Sequence, residues 1–427
     1  RGAGIPDPTA DPIVAATHFG VLATLSMGVL GAMHQFTPVI TGRPLRSIRL
    51  ARATFLSWLA ASWMLPVGIA TEQVAVAAIS GAFAALAITL LVVNFIGPLS
   101  VRGKGAPVTG LRFALAGSVL TACLGAAFVG DRQGTWFALA GHVDLTMGVI
   151  GLFGWLGITY IAVAEKLWPM FFLAHVPGRH LSGRIAVWAV PVGVALLSAG
   201  LLFGLPGLAW SGAIVLAVGL GGHLASLSSY VHHRRRKADL HLLFVVTSAL
   251  WLLVGAGLSL ASALVMPHDY VYGMALVAAA TVAFGGWLLT AFVGHAHKVV
   301  PFIVWSALRG RGVEKHSSGR PLLFADLYDH RWAAATYGLV TTGIIGLCIG
   351  FAASLPTAIA IGSGALAATG IIVGANLSVI PIRMLSDGGL AEAPRNDASR
   401  RVQVPVPPSS LGSLKSTLPS RFKNAER

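Results

Sequence analysis

Charge is scarce in this sequence. Asp, Glu, Lys and Arg supply 11% of its 427 residues, where soluble chains carry about 25%. Apolar residues supply 55%, and the mean hydropathy is +0.77. Such a composition excludes a soluble globule, and repeated apolar runs of roughly 18 or more residues read as transmembrane helices. The alternating pattern of a membrane β-barrel is absent. Helices satisfy every backbone amide internally and so suit lipid. Cysteine is nearly missing as well. Cys123 and Cys348 lie within apolar runs without metal-ligand spacing, so they carry no metal signal and say nothing of the redox compartment. There is no glycine-rich phosphate loop at a strand–helix junction, no G-x-S-x-G and no H-E-x-x-H. Soluble hydrolase and kinase chemistry therefore lack their usual parts.

The little charge present is unevenly signed, with a net charge of +15. Its placement argues against nucleic acid as a partner, because the basic residues sit in short loops between apolar runs. Eleven spans are expected, at 13–40, 51–71, 74–100, 108–130, 136–168, 185–204, 207–231, 240–266, 271–301, 332–354 and 357–381. Every odd-numbered span but the last runs into a basic loop. Arg43, Arg46, Arg49 and Arg52 follow the first; Arg102, Lys104 and Arg112 the third; Arg179 and Arg184 the fifth. Arg234 to Lys237 follow the seventh, and Arg309, Arg311, Lys315 and Arg320 the ninth. The opposite loops, such as 71–73, 204–207 and 266–269, carry almost no charge. By the positive-inside rule the N-terminus is outside, the C-terminus is cytoplasmic, and the chain sits multi-pass in an inner (plasma) membrane. The lipid bilayer is thus its first partner. The expected organisation is an outer segment at 1–12, a transmembrane domain at 13–385, and a polar Pro/Ser/Arg-rich cytoplasmic tail at 386–427. The chain opens at Arg1 with neither an initiator Met nor a signal peptide, which reads as a processed or partial start.

Three spans share an ending. His34-Gln35 precedes Pro38, Glu165-Lys166 precedes Pro169, and His297-Lys298 precedes Pro301. The prolines are 131 and 132 residues apart. The chain accordingly reads as an all-α polytopic membrane protein in three pseudo-repeated four-helix units, marked by helices 13–40, 136–168 and 271–301. In the first of these, His18, Gly31 and Pro38 are followed by Gly42-Arg43-Pro44. That run is similar to the H…G…P…RP pattern of high-affinity proton-pumping oxidases, and the architecture over about 370 residues resembles subunit I of the haem–copper oxidase and nitric oxide reductase superfamily. The resemblance implies that the three marked spans are that family's helices II, VI and X, that helix I is absent, and that metal ligands lie near the outer ends. It also implies haem b or copper as cofactor and other membrane or redox subunits as partners. The sequence departs from the family's pattern where the metals bind. Span six has no histidine pair, and the start of span nine, around Met274 and Thr281, has no H-x-H. Haem–copper catalysis within this chain is therefore not expected.

Two groups of candidate residues follow. The outer one is His18, His142 with Asp144, His268 and Met274, whose imidazole and thioether donors suit haem iron or copper. Relative to their prolines, His142 lies two turns, roughly 10 Å, from the level of His18. The competing reading is metal-free interfacial polarity. The inner group is His34, Glu165, Lys166, His295, His297 and Lys298, with His175 and His180 near. These suit a proton relay or a quinone rim, since an ionisable group within a membrane helix is costly and by default functional. The competing reading is anchoring at helix ends, where cations meet the helix dipole and snorkel. His232 and His233 read as surface residues. The leading functional expectation is an oxidase-like subunit acting as scaffold or redox and proton relay in a respiratory assembly. Alternatives are the membrane domain or partner of a copper enzyme such as a nitrite reductase, and a secondary transporter.

Overall fold

The computed structural model describes residues 11–103, 105–132, 142–176, 181–316 and 319–386. Expectations for the tail, for residues 1–10, and for Lys104, Arg179 and His180 fall outside these. The described residues contain eleven helices long and apolar enough to cross a membrane. They are α1 (Asp11–Thr41), α2 (Ile48–Ala70), α3 (Val74–Leu99), α4 (Gly105–Arg132), α5 (Val143–Phe172), α6 (Leu181–Leu202), α7 (Pro206–His232), α8 (Leu240–Val265), α9 (Tyr270–Gly310), α10 (His330–Ala352) and α11 (Pro356–Ser386). The fold is all-α and has the architecture of a multi-pass membrane protein.

Helix starts follow ordinary capping chemistry. Ser47 accepts from the amides of Arg49 and Leu50, Asp239 from Leu242, Asp269 from Tyr272, and Asp329 from Arg331 and Trp332. Each oxygen satisfies a donor that the first helical turn would leave open. The first marked span ends at Thr41, one residue from the expected bound, and the ends of the other two differ from expectation. Pro38, Pro169 and Pro301 lie inside their helices, which continue to Thr41, Phe172 and Gly310. Proline removes a single amide and bends a helix without having to stop it when neighbours hold the next turn. Glu165, His297 and Lys298 are therefore mid-helix residues with three or more residues beyond the proline, and the ninth span ends nine residues beyond its apolar pattern.

Helices α1 and α5 share an irregularity. Each contains a π-helical segment, Phe19–Ser26 in α1 and Ile150–Gly157 in α5. Each then runs fifteen residues, through its proline, to a left-handed cap at Gly42 or Leu173 whose amide bonds the proline carbonyl. The Leu22 carbonyl within the first π segment accepts from the Trp58 indole at 3.1 Å.

Hairpin geometry also recurs. Helices α2/α3, α6/α7 and α10/α11 each turn through a left-handed residue, Glu72, Gly204 and Ser354. In each, the next amide bonds a glycine carbonyl five residues back: Gln73 to Gly68 at 2.9 Å, Leu205 to Gly200 at 2.8 Å, and Leu355 to Gly350 at 2.8 Å. This is the long bond of a Schellman-type helix end. A Cβ on any of the three glycines would strike the facing helix, at Ala77, Ala209 or Ile359. Asn94 and Asn376 bind back to the start of their hairpins, at Ser47 and Asp329.

Aromatic rings join α5 to α2 and α9: Trp155 packs edge-on against Trp58, and Phe153 meets Phe284 edge-on and stacks on Trp287, with centroids at 5.3, 4.9 and 6.3 Å. This middle layer is apolar. The polar interior lies nearer the basic loops.

Candidate functional site: a buried polar cluster near the basic loops

Glu165 sits on α5 with a residue exposure of 9%. Its carboxylate lies against Gly183 of α6, where any larger residue would overlap it, and accepts a hydrogen bond from Tyr230 of α7 at 3.1 Å. From Tyr230 the cluster continues through touching rings. Tyr230 is 6.2 Å from Trp168, Trp168 is 4.8 Å from His223, and His223 is 5.4 Å from Tyr160. Tyr160 is 5.8 Å from His295, and His295 is 4.8 Å from His241. Phe171 packs against both His241 and His295, and the Lys298 ammonium lies 5.4 Å from the Phe171 ring. Lys298 ends the series in an ion pair with Asp239 at 3.0 Å. Four helices, α5, α7, α8 and α9, thus supply one continuous polar and aromatic seam.

The imidazoles have a defined chemical state within it. His295 directs Nδ1 at the Ala291 carbonyl at 2.7 Å. A carbonyl only accepts, so Nδ1 carries the proton and Nε2 keeps the lone pair. The same argument holds for His34 on Leu30 and His297 on Val293, each at 2.8 Å. Nε2 of His295, Nδ1 of His223 and both nitrogens of His241 are buried without a hydrogen-bond partner. An unmet polar atom of this kind costs about 1–3 kcal/mol. Several of them lie in this one seam, where a small polar group such as a water would satisfy them.

The inner candidates divide. Glu165, His295 and Lys298 belong to the seam. Lys298 is buried and ion-paired, so it does not snorkel. Lys166 is exposed, as the anchoring reading requires. His34 packs edge-on against Phe95 at 4.9 Å, and His297 lies between Phe244 and Tyr328. Glu165, His34 and His297, alike in sequence context, therefore each meet a different partner. His175 is exposed, as are His232 and His233. Five residues of the seam were not singled out from sequence: Tyr160, His223, Tyr230, Asp239 and His241. His223 was findable, since a lone histidine in the middle of an apolar span already satisfies the rule that intramembrane ionisable groups are functional by default.

The outer candidates stay apart. His18 spends its Nδ1 on the Val14 carbonyl at 2.8 Å. His142 precedes α5 and is exposed with Asp144, His268 is exposed in the α8–α9 turn, and Met274 is half-buried on α9. Among the described residues no hydrogen bond, ion pair or ring contact joins any two of these four candidates, and no group of three His, Cys, Asp or Glu is placed to hold a metal ion. A haem or copper centre would need these donors around one point. Neither a family model nor a curated protein matches the chain.

Proposed function

We propose that this chain is an oxidase-like membrane subunit that relays protons within the cytoplasmic half of the bilayer, in the service of a respiratory electron-transfer assembly. One observation carries the reading. Glu165, Tyr230, His223, Tyr160, His295, His241, Lys298 and Asp239 lie along one seam, with the Trp168 ring between Tyr230 and His223 and the Phe171 ring between the histidines and Lys298, leading from a buried carboxylate to a half-exposed one. Ring separations of 4.8–5.8 Å among His223, Tyr160, His295 and His241 leave no room for a further planar ring between them. That favours a proton over a quinone headgroup as cargo. Neutral imidazoles with one N–H and one lone pair can accept a proton on one side and release one on the other.

The three-unit architecture belongs to the same proposal. Its support is the common ending of α1, α5 and α9 and the common turn of the three hairpins. Orientation follows the basic loops, which puts the seam on the cytoplasmic side. A transporter reading has less support, because the midplane layer holds Trp155, Phe153, Trp287 and Phe284 in place of charged groups.

Infrared difference spectroscopy of the protein in nanodiscs, titrated with pH and exchanged into D2O, tests the relay. Carboxyl and imidazole bands lost in Glu165→Gln and His295→Phe should titrate and exchange in the wild type. Bands that neither titrate nor exchange would mean a dry structural cluster and end the reading. Purification from native membranes, with a visible spectrum, tests the assembly: a haem- or copper-bearing partner should accompany the chain.

A further inference from the structure

We infer that the Lys298–Asp239 ion pair is the aqueous port of this relay, with the Lys298 amine passing each proton between the basic-side water and the histidines. The inference rests on the proton-relay reading and adds the group that connects it to solvent.

The geometry singles out this pair. The Lys298 side chain is 9% exposed and that of Asp239 is 34% exposed, so the bond between them crosses the boundary between interior and water. Asp239 is held in place from three directions. Oδ1 accepts the Leu242 amide at 3.0 Å, capping α8. Oδ2 meets Lys298 at 3.0 Å and Arg236 at 3.5 Å. Two residues on from Asp239 is His241, and one turn back from Lys298 is His295. The Phe171 ring touches both imidazoles and lies under the ammonium. Lys298 is thus placed between the surface carboxylate and the histidine pair.

Every charged or titratable neighbour of the pair has a role. From its own segment Asp239 meets Arg236, 41% exposed, which keeps the carboxylate near the mouth paired while Lys298 is neutral. From the α9–α10 loop, Tyr328 lies within electrostatic reach of Asp239 and presents a hydroxyl. From α5 the neighbour is the apolar Phe171, packed against both imidazoles. From α8 and α9 the neighbours are His241 and His295, the acceptors.

The step balances in protons alone. Lys298 as an ammonium gives a proton to a neutral imidazole, His241 or His295, leaving a neutral amine and an imidazolium. Water delivers a proton to the Asp239 carboxylate, and the resulting acid returns it to the amine, restoring the ion pair. No electron moves and no bond other than N–H and O–H forms or breaks. Lysine suits the role because its amine can be neutral when partly buried, whereas a guanidinium stays charged.

The test compares Lys298→Arg with Lys298→Met in nanodiscs, following the rate at which the Glu165 and His295 infrared bands exchange in D2O. Arginine keeps the charge and the Asp239 pair but cannot release its proton. Both variants should slow exchange by at least about tenfold, in line with the weight of a placed acid–base group, while the wild-type bands remain present at equilibrium. Wild-type rates in Lys298→Arg would overturn the port. Asp239→Glu, which retains a carboxylate, should exchange within about threefold of the wild type; a loss as large as in Lys298→Arg would assign the pair a structural role instead. Failure of the relay itself reads differently, as wild-type bands that do not exchange at all.

Discussion

Helices α1–α3 and α5–α7 share several local features and differ in the groups they bury. The π segment, the proline, the left-handed cap and the hairpin turn all correspond. Yet at the position of Glu165 the first set has His34, which packs against Phe95. At the positions of His223 and Tyr230, 132 residues earlier, it has Leu91 and Pro98. Leu91 is fully buried in the main core cluster. One scaffold therefore carries an apolar interior in the first case and a titratable one in the second. The scaffold is set by glycine contacts and capping that are indifferent to the chemistry beside them, so the interior can change without altering the backbone.

The most severe way to break this comparison is at the shared hairpin contact. Gly68→Leu and Gly200→Leu should each cost more than about 3 kcal/mol, because the added side chain meets backbone that cannot yield. Both variants should lose monodisperse protein and show lowered thermal unfolding. Damage in only one hairpin would show that the two do not share their packing.

A smaller effect should separate the interiors. Glu165→Leu removes the acceptor of the buried Tyr230 hydroxyl and should cost about 1–3 kcal/mol. His34→Leu fills similar space against Phe95 and removes a buried nitrogen that has no partner, so its cost should stay below about 1 kcal/mol. Thermal unfolding of the two variants side by side checks this. Equal losses would mean that the two interiors are not as different as their residues suggest.

Smaller still is the turn itself. Glu72 and Ser354 adopt φ of 55° where the second hairpin has Gly204 at 61°. Left-handed backbone favours glycine, so Glu72→Gly and Ser354→Gly should each stabilise by about 0.5–1 kcal/mol, and Gly204→Ala should destabilise by a similar amount. Denaturation midpoints give the sign.

The smallest effect concerns the loop between α9 and α10, which has no counterpart of its length after α1 or α5. Burial disfavours the Asp326 carboxylate, but the Leu323 amide, His316 and Arg320 outweigh it and hold the group below its ordinary value of 3.8. Its contribution is therefore present above that value and fades as pH falls through the lowered one. Amide exchange of residues 319–328 should rise only in that acid range, and should rise at neutral pH in Asp326→Asn.

Much of the fold was legible in the residues. Eleven spans, their basic loops and the matched prolines follow from apolar run length and charge placement alone. The ends of α5 and α9 did not, because Pro169 and Pro301 look like terminators in one dimension and are carried through by neighbouring helices in three. Three of the seam's eight titratable residues were visible, Glu165, His295 and Lys298. The other five were not, because Tyr230 and His241 look ordinary until packing sets them against α5 and α9.

What the sequence determined by itself is that this chain must fill a membrane with helices, since so few charges and such long apolar runs leave no other way to satisfy the backbone. Which buried groups face one another was decided only by tertiary structure. Helical spacing places a side chain on a face, but it takes the approach of α7 and α8 to turn Glu165, His295 and Lys298 into one connected seam.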